Sequence, residues 1–164
     1  MQGKIEPWFT KGALEYIEKI DYKGKSIWEY GTGYSTLWFS QRCKSIVTVD
    51  NDKDWKSEMQ ILCGGLNVEF LLKDLIKCQD CEYVQAINRD NKIYDIIIID
   101  GRNRVLCAFE AVKHIKSGSM VIFDNSNREE YNPGLSVLTS LSSEVLSWDH
   151  PEGRLWRTSI FIIK

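Results

Sequence analysis

Residues 26–36 read SIWEYGTGYST, a short apolar run that closes on an acid and two spaced glycines. Ser26–Tyr30 has the composition of a strand, and Tyr34–Gln41 that of a helix. Gly31 and Gly33 therefore lie in a strand-to-helix turn, with Glu29 just ahead of them. Glycine opens left-handed backbone and leaves no side chain between the turn and whatever lies against it. Such a turn is either an acidic bend capped by Ser35 or Thr36, or the floor of a ligand site.

Outward from this turn, four more strand-like runs appear: Ser45–Asp50, Asn67–Leu72, Tyr94–Asp100 and Ser119–Asp124. The run YDIIIID has no polar alternation, as expected of a parallel strand covered on both faces. Helical patterns separate the runs: Lys11–Ile20, Tyr34–Gln41, Trp55–Leu62 and Arg104–Ile115, the last stopped by Gly118. Strand–helix alternation predicts a doubly wound parallel sheet. The end differs, because SEVLSWDH and TSIFIIK are separated only by PEGRLWR. That link is too short for a crossover helix, so the final strand is expected to return antiparallel. The expectation is thus an α/β fold with a mostly parallel, seven-stranded sheet and a reversed last strand.

The 164 residues suit a single domain over 1–164, with residues 1–10 as an N-terminal segment available to the substrate cleft. The net charge of −2, from 21 basic and 23 acidic side chains, argues against a broad nucleic-acid surface. No apolar run reaches membrane-spanning length and the N-terminus lacks a secretory pattern, so a cytoplasmic location is expected. Five cysteines in such a chain read as free thiols rather than a disulfide framework, and Cys78 and Cys81 form a lone CxxC without zinc-ligand partners.

In open α/β sheets, ligands bind beyond the carboxyl ends of the strands. Glu29 and the glycine turn follow the first strand, Asp50 closes the second and Asp100 the fourth. Asp50 lies about twenty residues beyond the glycines, the spacing of an acid that accepts from ribose hydroxyls. A dinucleotide fingerprint would carry a third glycine where this chain has Thr36. Glu29 would repel a pyrophosphate but suits a cationic amino group or a sulfonium. Ser35 and Thr36 suit a carboxylate. The combination favours a cofactor that bears an amino acid over a dinucleotide.

The segments WEYGTGYST, IVTVDND and YDIIIIDG and the closing hairpin together resemble the class I S-adenosylmethionine-dependent methyltransferases, across about residues 10–164. The likeness is to small bacterial and phage-type members with E-x-G-x-G-x-S-T, I-D-G-R-x-R and D-N-S-x-R segments. It implies a Rossmann-like sheet and an S-adenosylmethionine cofactor. Glu29, Gly31 and Gly33 would hold the methionine part and Asp50 the ribose. Asn51 and Trp55 would lie beside ribose and adenine. Asp74 would meet the adenine amino group, or else cap the next segment. The implied reaction is methyl transfer to an oxygen, less readily a nitrogen, of a small-molecule acceptor, with a homo-oligomer as one way to complete the acceptor site.

The catalytic candidates are in IDGRNR and FDNSNR, at the ends of the fourth and fifth strands. Asp100 and Arg102 are the expected catalytic or substrate residues, with Asp100 also a cofactor contact. Asp100, Asp124 and Asn125 offer hard oxygen atoms suited to Mg²⁺ and are similar to the metal triad of catechol O-methyltransferase-like enzymes. The alternative is that Asp124–Asn125 merely ends a strand. Arg102, Arg104 and Arg128 either clamp an anionic substrate or pair with the acids, Arg104 favouring the structural role. Trp8 and Trp156 flank loops and are placed to wall the cleft. His114 is expected late in a helix, facing its dipole. Two rival functions remain: a nicotinamide-dependent oxidoreductase and a non-catalytic cofactor-binding module.

Overall fold

A computed structural model describes residues 5–75, 81–151 and 156–164. Seven strands form one sheet: β1 (Ser26–Tyr30), β2 (Ser45–Asp50), β3 (Val68–Leu72), β4 (Ile96–Ile99), β5 (Met120–Asp124), β6 (Ser142–Asp149) and β7 (Arg157–Ile163). Their order is β3-β2-β1-β4-β5-β7-β6. The first five strands pair in parallel, and β7 runs antiparallel to both β5 and β6. The reversed strand expected from the short PEGRLWR link is therefore present. It is inserted between β5 and β6 rather than added at the edge.

Strand alternation accounts for the absence of polar alternation in sequence. Trp28, Tyr30, Ile97, Ile99, Val121 and Phe123 point into one apolar cluster. Ile27, Ile96, Ile98, Met120 and Ile122 point into another on the opposite face. Both sides of the central strands are covered, so every position of β4 is apolar and fully or almost fully buried. One side is covered by α1 (Lys11–Ile17) and α2 (Tyr34–Ser40), with α3 (Lys53–Leu62) packed beside α2 through Leu37 and Met59. The other carries α4 (Glu82–Gln85), α5 (Arg104–Ala111) and α6 (Asn132–Leu141). Among the described residues, no helix is long and apolar enough to cross a membrane.

The helix boundaries shift from the sequence pattern for local reasons. α3 starts at Lys53, because the Asp52 carboxylate accepts from the backbone N–H groups of Asp54 and Trp55. α5 ends at Ala111 and tightens into a 3₁₀ turn over Val112–His114, before Gly118 is reached. His114 is the last residue of that 3₁₀ turn, late in the helical segment as expected. Its ring is buried, with Nδ1 bonded to the Lys92 carbonyl and Nε2 to Asn88 Oδ1. α4 and α6 are additions to the sequence reading. In α6, Pro133 occupies the first turn, where its missing N–H costs no intrahelical bond. Gly134 lets α6 approach α5 closely, since a Cβ there would come within 3.1 Å of the Ala108 Cβ.

The strand order reverses between β1 and β4. There the chain after β1 and the chain after β4 meet backbone to backbone. Gly31 has φ +97°, and a Cβ on it would lie 2.7 Å from the Cα of Gly101. A Cβ on Gly101 would lie 2.9 Å from the Cα of Gly31 and 2.0 Å from the Tyr83 hydroxyl. Gly101→Ala is expected to lower unfolding stability by about 1–3 kcal/mol through overpacking. Adding Tyr83→Phe should recover only part of this, because the Gly31 backbone still obstructs. Urea denaturation of the single and double variants measures both effects.

Candidate active site

A cleft of about 450 Å³ opens at the β1/β4 reversal, within the size range of small-molecule sites. Gly31, Gly33, Ser35, Asp50, Asn51 and Trp55 line it on the β1–β2 side. Asp100 and Arg102 line it on the β4 side. Eight of the residues anticipated from sequence thus converge on one cavity. Trp8 does so too: it is 72% exposed, and its ring lies 6.1 Å from that of Tyr34.

Asp50 is held at the cleft edge by the backbone around it. Its Oδ2 accepts from the Thr32 N–H at 2.9 Å, and its Oδ1 from the N–H groups of Asn51 and Asp52 at 2.7 and 2.9 Å. An ionised carboxylate has about four acceptor directions, so capacity remains on Oδ2. Trp55 donates its indole N–H to the Thr32 carbonyl at 2.7 Å and so ties α3 to the glycine turn.

Glu29 is placed differently from the expectation. It is fully buried and does not line the cleft. Its two oxygens accept from the Ser35 and Thr36 hydroxyls, and Thr48 also bonds to it. Thr36 is likewise fully buried behind the wall, where Oγ1 accepts from the Gly33 N–H at 2.9 Å. Thr48 in turn contacts the Thr32 hydroxyl at 3.0 Å. Glu29 therefore shapes the glycine turn from beneath, with Ser35 as the member of this set that reaches the cleft. Burial pushes the Glu29 carboxyl up to about 8, against the lowering effect of its hydroxyl donors.

Asp74 is exposed, lies outside the cleft lining and does not cap the next helix, whose N-cap is Cys81. Among the described residues, nothing brings its carboxylate to the cleft. Cys78 of the CxxC lies outside the described residues; Cys81 is buried, with Sγ 3.8 Å from the Asp74 carbonyl.

On the β4–β5 side, Arg104 acts as a structural clamp. Its Nε donates to the Gly101 carbonyl, and its terminal nitrogens to the carbonyls of Asp124 and Asp100. It also lies 3.0 Å from Asp100 Oδ1. Asp100 sits deep in the cleft, with its side chain 27% exposed. Burial, then the charge of Asp124, raises its carboxyl to about 7. Asp124 is nearly buried: Oδ1 accepts from the Thr158 hydroxyl at 2.6 Å, and the Trp156 indole N–H approaches both oxygens at 2.9 and 3.0 Å.

These contacts do not fit the expected Mg²⁺ site of Asp100, Asp124 and Asn125. The Asp124 oxygens are taken by Thr158 and Trp156, and Asp124 does not line the cleft. Asp100 Oδ1 is already paired with the Arg104 guanidinium. Asn125 sits in a left-handed turn, φ 53°, that ends β5. Among the described residues, no group of three or more His, Cys, Asp or Glu side chains is arranged to hold a metal. Trp156 is thus a partner of Asp124 and does not line this cleft.

The sequence reading missed Tyr83 and Gly101 as cleft residues. Gly101 was visible in YDIIIIDG, but its role depends on Gly31 opposite it. Tyr83 is buried on α4, and its hydroxyl accepts from the Arg102 N–H at 3.4 Å.

A raised carboxyl favours its neutral form in the fold. The stability that Glu29 contributes is fully present below its ordinary range and is lost as pH rises through about 8. Glu29→Gln should therefore flatten the decline of melting temperature between the ordinary carboxylate range and about pH 8. An unchanged slope in thermal melts across that window contradicts this account.

No family model and no curated protein matches the chain. Solved structures do. A methyltransferase-like protein from Silicibacter pomeroyi superposes with a TM-score of 0.71 at 17% identity, covering 98% of this chain and 90% of that one. A SAM-dependent O-methyltransferase from Thermotoga maritima gives 0.69 at 12% identity, over 99% of this chain and 69% of that one. An O-methyltransferase from Bacillus cereus in complex with SAH gives 0.63 at 20% identity, over 84% and 74%. The chain has the Rossmann-like fold of the class I S-adenosylmethionine-dependent methyltransferases.

Proposed function

We propose that the chain transfers a methyl group from S-adenosylmethionine to an oxygen of a small molecule. The observation that carries this reading is the cleft at the β1/β4 reversal, floored by Gly31 and Gly101 and edged by Asp50. Neighbours with this fold include named S-adenosylmethionine-dependent enzymes, which supports the choice of cofactor. Thr36, standing where a dinucleotide site has its third glycine, is occupied by Glu29 and the Gly33 N–H.

When bound, the cofactor supplies an electrophilic methyl on a sulfonium sulfur. The residues around the cleft fit its parts. Gly31, Gly33 and Ser35 offer a side-chain-poor wall and a hydroxyl for the amino-acid end. The remaining acceptor direction of Asp50 suits a ribose hydroxyl, and Trp55 with Asn51 flanks the nucleoside. Asp100 stands across the cleft from them. Its Oδ1 faces Arg104, while Oδ2 has no hydrogen-bond partner among the described residues. A carboxyl raised to about 7 is matched to accepting a hydroxyl proton near neutral pH.

Calorimetric titration with S-adenosylhomocysteine tests the cofactor assignment, with NADH as the competing ligand. Saturable binding of the first and none of the second is expected, and the reverse result sinks the reading. Asp50→Ala should weaken S-adenosylhomocysteine by about tenfold or more, the loss of a charge-assisted hydrogen bond.

Turnover of labelled S-adenosylmethionine against a panel of hydroxyl and amine acceptors tests the reaction. Asp100 must be ionised to take the proton, so turnover should rise with pH through about 7. Asp100→Asn should abolish that limb and lower the rate by about 10²-fold or more. A pH-independent rate in both proteins excludes Asp100 as the base.

A further inference from the structure

We propose that Arg102 is an anion receptor on the acceptor side of the cleft, so that the acceptor carries a carboxylate or phosphate besides the group that is methylated. The identity of the bound anion as part of an acceptor rests on the methyltransferase reading; the receptor itself does not.

The three arginines near the β4 and β5 ends have separate fates. Arg104 spends its donors on the carbonyls of Gly101, Asp100 and Asp124 and on Asp100 Oδ1. Arg128 lies over the Tyr131 ring at 5.8 Å and reaches its hydroxyl at 3.4 Å. Arg102 is exposed, lines the cleft and has no hydrogen bond or ion pair from its guanidinium among the described residues.

The acids of the cleft wall leave this guanidinium free. Asp50 accepts from the backbone of Thr32, Asn51 and Asp52. Asp52 caps α3. Asp100 is paired with Arg104. Each acid thus has its own donors, and the five N–H groups of Arg102 are left for a ligand.

The main chain at Arg102 is fixed at the same time. Its N–H donates to the Tyr83 hydroxyl, and its carbonyl lies 3.4 Å from Cys107 Sγ. Asn103 follows in a left-handed conformation, φ 48°, and α5 begins at the next residue. A fork-shaped cation on a fixed backbone at a cleft wall suits bidentate recognition of a carboxylate or phosphate. Gly101 separates it from the glycine turn and puts it beside Asp100, the proposed base. The acceptor is then an anion with a hydroxyl near that carboxylate.

The cofactor has a carboxylate of its own, and the experiment separates the two sources. Inorganic phosphate is titrated into the protein alone and into the protein saturated with S-adenosylhomocysteine, with Trp8 and Trp55 fluorescence as the readout. Saturable binding is expected in both states. Arg102→Gln should weaken it by about tenfold or more. Affinity for S-adenosylhomocysteine should change by less than about twofold. Arg102→Lys, which keeps the charge and loses the fork, should retain part of the phosphate affinity.

If Arg102→Gln weakens S-adenosylhomocysteine but not 5′-methylthioadenosine, which lacks the amino-acid tail, Arg102 grips the cofactor and the proposal falls. Phosphate binding that never saturates, or that Arg102→Gln leaves unchanged, overturns it as well. Failure of the wild-type protein to bind S-adenosylhomocysteine defeats the methyltransferase reading. The phosphate titration of the unliganded protein then decides the receptor separately.

Discussion

The contact between the backbones of Gly31 and Gly101 is the constraint on which the site depends. It closes the floor between β1 and β4 where the sheet changes direction, and it leaves no room for a side chain on either strand end. Everything that faces the cleft is positioned relative to that floor. Asp50 is drawn in through the Thr32 N–H on one side, and Arg102 is set by Tyr83 on the other. The extended backbone at Gly33 and the α2 start are fixed from below by Glu29 through Ser35 and Thr36. Backbone sterics set the geometry here, and buried hydrogen bonds hold it.

The two halves of the cleft treat charge in opposite ways. On the β1–β2 side a neutral-leaning acid, Glu29, is enclosed by hydroxyls, while the acid at the cleft edge, Asp50, is satisfied by amides. On the β4–β5 side a buried guanidinium is spread over three carbonyls and a carboxylate. A buried charge is tolerated only when its hydrogen bonds are complete. Arg104 meets that condition by bracing the ends of β4 and β5. Its donors are therefore committed to the fold, whereas the proposed receptor, Arg102 two residues earlier, has no partner for its guanidinium among the described residues.

The sheet was legible because burial on both faces leaves a direct imprint: unbroken apolar runs such as Ile96–Ile99 between helical patterns. The reversed β7 followed from the length of a link alone. The side-chain directions at the site were less legible. Glu29 and Ser35 are both polar residues beside glycine, and nothing in their order says that one hides and the other faces the cleft. Asp100 and Asp124 end adjacent strands, yet Thr158 and Trp156, far along the chain, turn Asp124 away from the cleft. α6 was obscured by Pro133 and Gly134, residues that break helices elsewhere and here begin one and let it pack. What sequence could not supply was the set of partners brought in from distant elements.

The position of β7 has a consequence for how such a chain can assemble. Among the described residues, β6 is an edge strand paired only with β7, and β7 is wedged between β6 and β5. Until it docks, β5 has an open flank and Asp124 lacks the Thr158 hydroxyl that also receives the Thr10 N–H. A chain in which β5 has formed but β7 has not docked therefore holds a half-built sheet. Docking of the β6–β7 pair onto β5 is a long-range closure that also fastens Thr10 to Thr158, 148 residues away.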